Sequence, residues 1–208
     1  MSFAIDTFPK ERFGLVTGSK CSVMFPLKGD GVVGMTTYAK QLANERFFQF
    51  YDEKSAWQAE HGKMGEHFAR IHYTQMYGDL QDGTWTVKGD CGGSTDAEID
   101  TKVIDFKCPV TLEGWLDFMY DKLKKDYFDQ LQMYMWLRDK QESEIAAYLT
   151  ETQFMTDNGL TYPVPEEKRM IIVKVMRDPK WEERLNEQLP FVIEMRDKYI
   201  EVLKSKFN

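Results

Sequence analysis

The most informative part of the chain is the run Lys102-Val103-Ile104-Asp105-Phe106-Lys107-Cys108-Pro109. Apolar and polar residues alternate here with a period of two, which predicts a half-buried β-strand. On such a strand Asp105 and Lys107 point to one face, while Ile104, Phe106 and Cys108 point to the other. The sequence therefore predicts that a carboxylate and an ammonium group lie side by side near the end of a strand.

A second carboxylate precedes this strand, in Ser94-Thr95-Asp96. Residues 96–99 also have the pattern of a strand, so the two strands would form an antiparallel hairpin that brings Asp96 close to Asp105 and Lys107. Two carboxylates and a lysine suit hydrolysis of a phosphodiester, because a bound divalent cation lowers the pKa of its water and a lysine can orient or deprotonate that water. For Asp105 and Lys107 alone, an ion pair on a solvated strand face is the alternative.

The flanking segments predict a mixed order of helices and strands. Helical periodicity covers residues 36–78, followed by a three-stranded β-meander over residues 84–108 and a long amphipathic helix over residues 116–139. Two apolar strands, 145–149 and 170–176, come next, and Asp178-Pro179 provides an N-cap and a first-turn proline for a last helix. This order predicts an α/β core with a mixed β-sheet flanked by helices. No linker divides the chain, so a single domain over residues 1–208 is expected.

Composition limits the class of protein. The 208 residues include 27 Lys and Arg against 34 Asp and Glu, a net charge of −7, so any DNA site must be locally basic. Three separated cysteines without a C-x-x-C pair argue against a disulfide framework and against a four-cysteine metal centre. No apolar run approaches the roughly 18 residues of a membrane span, and residues 1–10 lack the features of a signal peptide. We therefore expect a cytoplasmic protein with no membrane partner.

Two polar residues in predicted helices add to the strand motif. Glu66 lies in Gly62-Lys63-Met64-Gly65-Glu66, and a third carboxylate would complete the protein ligands of a hard cation. Gln130 lies among apolar neighbours in a later helix, where an amide is costly to bury without a partner. Both residue types fit a buried polar site.

In this order the motifs resemble the lambda-exonuclease or YqaJ type of viral recombinase, a family within the PD-(D/E)xK nuclease superfamily. The run from Arg12 to Ser19, RFGLVTGS, is similar to the family's opening R-x-G-x-I/V-T-A/G-S. Gly62 to Glu66 resembles its G-x-x-x-E, Asp96 its lone aspartate, and Asp105 to Pro109 its E/D-x-K-C-P. Tyr127-x-x-Gln130-x-Gln132 resembles the Y-x-x-Q-x-Q helix that follows. Any one motif is weak, whereas five in the right order are specific.

Two positions depart from the family pattern. Thr95 stands where the superfamily name has proline, and it should not touch the metal. Asp105 stands where many members of this branch have glutamate, and its shorter arm would shift the metal by about one methylene length. Aspartate is common at this position elsewhere in the superfamily.

The resemblance implies a PD-(D/E)xK restriction-endonuclease-like fold and a role for each motif residue. It implies that Mg²⁺, with Mn²⁺ as the alternative, is held by Glu66, Asp96, Asp105 and the backbone carbonyl of Phe106. Lys107 would act on the attacking water, and Gln130 and Gln132 would position Lys107 or the nucleotide backbone. A 5′-terminal phosphate of the substrate would be bound by Arg12 and Ser19.

The expected activity is that of a metal-dependent 5′-to-3′ exonuclease. It would release 5′-mononucleotides from linear double-stranded DNA and leave 3′ single strands for a single-strand annealing partner, in the cytoplasm of a bacterial host if the protein is phage-encoded. The resemblance also implies a ring-shaped homotrimer. Two alternatives remain open: a structure-specific or nicking endonuclease on the same core, and a non-catalytic DNA-end-binding module.

Overall fold

The computed structural model describes residues 10–26, 31–50, 57–120 and 123–207. Its helices are α1 (Val32–Phe48), α2 (Trp57–Tyr77), α3 (Leu112–Tyr120), α4 (Lys125–Arg138), α5 (Gln153–Asp157) and α6 (Pro179–Phe207). Its strands are β1 (Val16–Thr17), β2 (Gln81–Asp82), β3 (Trp85–Lys88), β4 (Cys91–Ser94), β5 (Ala97–Glu98), β6 (Lys102–Lys107), β7 (Glu142–Tyr148) and β8 (Met170–Met176). Short 3-10 helices cover Lys10–Arg12, Gly18–Met24 and Glu166–Lys168.

The strands form two sheets, and each sheet is mixed, with one parallel pair of strands. The larger has the order β2-β5-β6-β7-β8, in which only β6 and β7 run parallel. The smaller has the order β1-β4-β3, with β1 parallel to β4. A parallel pair needs a long crossover, and α3 and α4 form the one between β6 and β7. The expected α/β class with mixed sheets flanked by helices is confirmed.

Strand β6 lies in the middle of the larger sheet, with a helix on each face. Ile104 and Phe106 pack against Ala69 and Tyr73 of α2 in one apolar cluster. Val103, on the opposite face, belongs to the main core together with residues of α4. Because alternate residues of a strand face opposite ways, odd-numbered residues of β6 face α4, and Asp105 is one of them.

The predicted meander over residues 84–108, in which three consecutive strands pair in order, is wrong. Strand β3 pairs with β4 in the smaller sheet, whereas β5 pairs with β6 in the larger one. Strand β4, Cys-Gly-Gly-Ser, has no alternation of apolar and polar residues, so no sequence pattern predicts it. Its glycines allow close packing: a Cβ at Gly92 would lie 2.6 Å from the Trp85 ring, and one at Gly93 would lie 2.9 Å from the Tyr134 ring.

Two helix predictions have different outcomes. The long helix expected over residues 116–139 is wrong, because α3 and α4 are separate helices. The N-cap at Asp178 is confirmed, since the carboxylate Oδ1 accepts a hydrogen bond from the Lys180 backbone amide at 3.0 Å. Helix α6 continues through Pro190.

Two further observations concern the whole described chain. Cys21, Cys91 and Cys108 are free thiols. Among residues 10–26, 31–50, 57–120 and 123–207, no helix combines the length and the apolar character needed to cross a membrane.

Candidate active site

The centre of the candidate site is the ion pair between Asp105 and Lys107 at the end of β6. Asp105 is almost fully buried, and its Oδ2 contacts the Lys107 ammonium group. The two residues share the face of the strand that points to α4, so the side-by-side arrangement predicted from the period of two is confirmed. Lys107 remains partly exposed, so the pair is open to a ligand.

Asp96 reaches the same place from the segment between β4 and β5. Its Oδ2 accepts a hydrogen bond from the backbone amide of Phe106 at 2.7 Å. The pairing of Ala97 with Ile104 in the β5–β6 hairpin explains this contact, because it puts residue 96 beside residues 105 and 106. The β5–β6 pairing and this hydrogen bond confirm the prediction that a hairpin brings Asp96 near Asp105.

Glu66 comes from α2, which packs closely on the end of β6. A Cβ at Gly65 would lie 2.6 Å from the Cβ of Cys108, so only glycine allows this approach of the helix. The next residue, Glu66, lines the same cleft as Asp96 and Asp105. Gly65 is therefore the position at which the helix makes its close contact with Cys108.

The charges in this cleft influence one another. Burial, followed by the charge of Asp105, raises the pKa of Asp96 well above its ordinary value. Burial and the charge of Asp105 also raise the pKa of Glu66. Burial opposes the positive charge of Lys107, but Asp105 and Asp96 outweigh it and raise the pKa of that ammonium. Lys107 is therefore the counter-charge of a crowded group of carboxylates.

Helix α4 holds the other side of Asp105. Gln130 Nε2 donates to Asp105 Oδ1 at 3.2 Å and to the hydroxyl of Tyr134 at 2.9 Å. The Tyr134 ring in turn fills the space beside Gly18, where a Cβ would lie 2.5 Å from it. The amide of Gln130 thus fixes Asp105 rather than Lys107, and Tyr134 connects it to the Gly18 segment.

Gln132 does not reach this site, and its predicted role is wrong. Its Nε2 donates to the Met176 carbonyl at 2.8 Å, and its Oε1 accepts from the Asp178 amide at 2.8 Å. Two residues along an α-helix are about 200° apart, so Gln130 and Gln132 face nearly opposite directions. Gln132 instead holds the junction between β8 and α6.

The site opens into a cleft of about 440 Å³. Its lining combines the three carboxylates with Lys107 and two further cations, Lys63 and Lys124. A second cleft of about 480 Å³ shares Lys63, Glu66 and Asp96 with the first and adds His67 and Arg70. Although the chain is acidic overall, cations therefore lie beside the carboxylates, as a site for a polyanion requires. Arg70 is paired with Asp82, and Lys124 with Asp117.

The donor set fits a hard cation. Carboxylate oxygens are the ligands that Mg²⁺ and Mn²⁺ prefer. Burial and, after it, repulsion from Asp105 raise the pKa of Asp96 and Glu66, and a bound cation would offset both effects. Within the described ranges, no three His, Cys, Asp or Glu side chains are already arranged as a metal centre. Lys107 is paired with Asp105 instead, so cation binding requires the carboxylates to turn.

Arg12 and Ser19 are not joined in one pocket. Arg12 lines a narrow space of about 10 Å³ with Lys20 and Glu45, and Ser19 is exposed and does not line it. Such a space holds about one water. The phosphate-binding role of these two residues stays a prediction. Lys20, which follows Ser19, is a cation in the Arg12 space that the sequence motif did not indicate.

The sequence profile of the YqaJ-like viral recombinase domain matches residues 8–141. This match covers more than half of the 208 residues. It spans the whole series of motifs from Arg12 to Gln132. No protein of curated function matches the chain.

Several solved structures share the fold. The alkaline exonuclease LHK-Exo from Laribacter hongkongensis has a TM-score of 0.74 and 22% identity, and the match covers 94% of each chain. Its complex with dAMP has a TM-score of 0.76 and 21% identity over 95% of each chain. A phage-related exonuclease from Haemophilus somnus 129PT has a TM-score of 0.72 and 20% identity, covering 93% of this chain and 96% of the other. These likenesses show that the chain shares the fold of these proteins, and they confirm the expected α/β core.

Proposed function

The chain belongs to the YqaJ-like viral recombinase domain family, and from this premise we propose that it is a metal-dependent exonuclease. It degrades linear double-stranded DNA in the 5′-to-3′ direction and releases 5′-mononucleotides. We further propose that residues 1–208 act as one nuclease domain and that three copies form a ring around DNA.

One observation carries this proposal: the Asp105–Lys107 pair shares a single open cleft with Asp96 and Glu66. Carboxylates that are buried together repel one another and lower the stability of the folded protein. Their presence in an open cleft, beside an accessible lysine, therefore supports a catalytic use. The fold shared with two exonucleases supports the same class of reaction. LHK-Exo is described in complex with dAMP, a nucleoside 5′-monophosphate, which supports release of 5′-mononucleotides here.

In this mechanism Glu66, Asp96, Asp105 and the carbonyl of Phe106 hold Mg²⁺, or Mn²⁺ in its place. When bound, the cation supplies a water of lowered pKa and neutralises charge on the phosphate. Lys107 keeps its proton at neutral pH, because Asp105 and Asp96 raise its pKa. It therefore orients the attacking water and stabilises negative charge as an ammonium group, rather than acting as the base.

Gln130 positions this machinery indirectly. Its amide holds Oδ1 of Asp105, which leaves Oδ2 facing Lys107. The Phe106 amide similarly fixes one oxygen of Asp96. One oxygen of each carboxylate is therefore held by the protein before substrate arrives, which limits how far the carboxylates must turn when the cation binds.

The direction of digestion depends on the 5′-phosphate. We propose that Arg12, assisted by Lys20 and Ser19, binds this phosphate after the side chains around the narrow Arg12 space move apart. The cations around the two clefts guide the strand despite the acidic net charge. The product, a 3′ single strand, suits a single-strand annealing protein as partner.

The test is digestion of linear duplex DNA labelled at either end, with and without 5′-phosphate, in Mg²⁺ or in EDTA. We expect the wild type to release 5′-mononucleotides only in Mg²⁺ and faster from phosphorylated ends. Lys107→Ala should lose this release, and Lys198→Ala, an exposed lysine of α6, serves as its matched control. Digestion of circular DNA would favour an endonuclease, and DNA binding without cleavage would favour the end-binding module.

A further inference from the structure

One wall of the catalytic cleft is aromatic. Phe118 of α3 and Tyr127 of α4 both line the cleft that contains Asp96 and Asp105. Their rings are stacked, with centroids 5.7 Å apart and planes inclined by 19°. Lys107 Nζ lies 5.4 Å from the centroid of the Tyr127 ring. The aromatic wall is therefore next to the charged groups that would act on the phosphate.

The cleft thus has two parts with different chemistry. The carboxylates and Lys107 form a charged part that suits a phosphate and its cation, whereas Phe118 and Tyr127 form an aromatic part. Its volume of about 440 Å³ falls in the usual range for small-molecule sites, about 300 to 1,000 Å³. A nucleotide has the same division, because its sugar links an anionic phosphate to a flat base.

We propose that Phe118 and Tyr127 form a stacking site for the nucleobase of the nucleotide that is being released. Stacking on an aromatic ring accepts every base, since each base has a π-face. The site would hold the terminal nucleotide unpaired while its phosphodiester is attacked. This inference rests on the proposed exonuclease function and adds the binding site of the leaving base to it.

The main alternative is that Phe118 only packs against the core and does not contact a base. Phe118 and Tyr127 both contact the edge of the main core, so truncation can affect folding. Phe118→Leu addresses this point because it keeps an apolar side chain of similar size but removes the aromatic face. Met119→Ala, at an exposed neighbouring position of α3 outside the cleft lining, is the matched control.

The experiment compares two duplexes that differ only in the 5′-terminal nucleotide, which carries a base in one and lacks it in the other. With the intact duplex we expect Phe118→Leu to lower kcat/KM by about 5- to 150-fold, the loss that corresponds to removing one base–aromatic contact. With the abasic duplex, wild type and Phe118→Leu should be nearly equal, and Met119→Ala should match wild type on both. An equal loss on both duplexes would overturn the proposal, because a packing defect does not depend on the base.

A second readout does not require cleavage. In EDTA, the fluorescence of 2-aminopurine at the 5′-terminal position should change when wild type binds the duplex, and Phe118→Leu should lose most of that change. If the protein binds DNA ends but never cleaves them, this Phe118-dependent signal still supports the stacking site while the exonuclease proposal fails. An identical signal in both proteins would overturn the stacking site even if cleavage occurs.

Discussion

Two acid–lysine pairs in this protein have nearly the same burial but different surroundings. The side chains of Asp105 and Lys107 are 2% and 21% exposed, and those of Asp129 and Lys125 are 1% and 22% exposed. Asp129 is fully satisfied: Oδ1 accepts from Trp181 Nε1 at 2.9 Å, and Oδ2 from Lys125 Nζ at 2.5 Å. Asp105 has the amide of Gln130 at 3.2 Å and faces an open cleft.

The difference lies in what else is charged nearby. Asp105 helps to raise the pKa of Asp96 and of Glu66, so its pair belongs to a group of competing carboxylates. The Asp129 pair instead ties the segment before α1 to α4 and α6, because Lys125 also donates to the Ser22 carbonyl at 2.9 Å. Burial and pairing alone therefore do not mark a functional site. Mutual repulsion among carboxylates that share an accessible cleft does mark such a site.

The largest expected difference is in catalysis. Lys107→Ala should lower the single-turnover rate of mononucleotide release by about 10²- to 10³-fold, the usual cost of removing one preorganised group that stabilises charge in the transition state. Lys125→Ala should keep the rate of the folded fraction within a few fold of wild type. Equal losses in the two variants, measured under conditions where both are folded by circular dichroism, would remove the distinction between the pairs.

The free energy of unfolding should show the opposite order, with the larger loss when the Asp129–Lys125 pair is broken. Asp129→Ala removes the carboxylate partner of Lys125 and leaves the buried indole N–H of Trp181 without its acceptor, so we expect the free energy of unfolding to fall by about 3–5 kcal/mol. Asp105→Asn should cost much less, because it also removes repulsion with Asp96 and Glu66. Urea unfolding of both variants in EDTA measures this. A larger loss for Asp105→Asn would mean that the Asp105–Lys107 pair is structural.

The pH dependence should also separate the two regions. The raised pKa values of Asp96 and Glu66 mean that the folded protein binds their protons more tightly than the unfolded chain does. Without metal, stability should therefore fall as pH rises from about 4, the unfolded value, through the raised values.

Mg²⁺ should remove this loss, adding about 2.7 kcal/mol at a hundredfold excess over Kd. Urea midpoints at acidic and alkaline pH, with Mg²⁺ or EDTA, provide the measurement, and Asp96→Asn is the control. A midpoint in Asp96→Asn that responds to Mg²⁺ as the wild type does would show that the cation binds elsewhere.

The smallest effect is expected at Tyr134, which supports Gln130. Tyr134→Phe keeps the ring against Gly18 and Gly93 but removes the hydroxyl that accepts from Gln130. Loss of one such hydrogen bond costs about 0.5–1.5 kcal/mol, which corresponds to roughly a 2- to 10-fold lower kcat if Asp105 is held less firmly. KM should be nearly unchanged, and a change in KM alone would assign Tyr134 to substrate binding.

The central strand could be predicted from the sequence because a period of two determines which side chains share a face. Asp105 and Lys107 were placed correctly for this reason, and Asp96 followed from the hairpin. Gln132 was misplaced because a motif matched by spacing ignores the rotation of a helix, which turns Gln132 toward Met176.

Other features depend on contacts between distant segments. Strand β4 is stabilised by rings packed on Gly92 and Gly93, which no local pattern indicates. The Asp129 pair was also missed, since Trp181 lies 52 positions away in the chain. The sequence motif named Arg12 and Ser19, but only the fold shows that Lys20 shares the Arg12 space.

Helix α6 links the last part of the chain to the first. Arg196, which is buried, donates from Nη1 to the Gly14 carbonyl at 2.9 Å and to Asp90 Oδ1 at 2.8 Å, and Gly14 lies 182 positions earlier in the chain. During translation this contact can form only after residue 196 has left the ribosome. This contact between the first and last parts of the chain is therefore among the last to form, so a nascent chain that already contains residues 12–132 still lacks the side chain that joins Gly14 to Asp90.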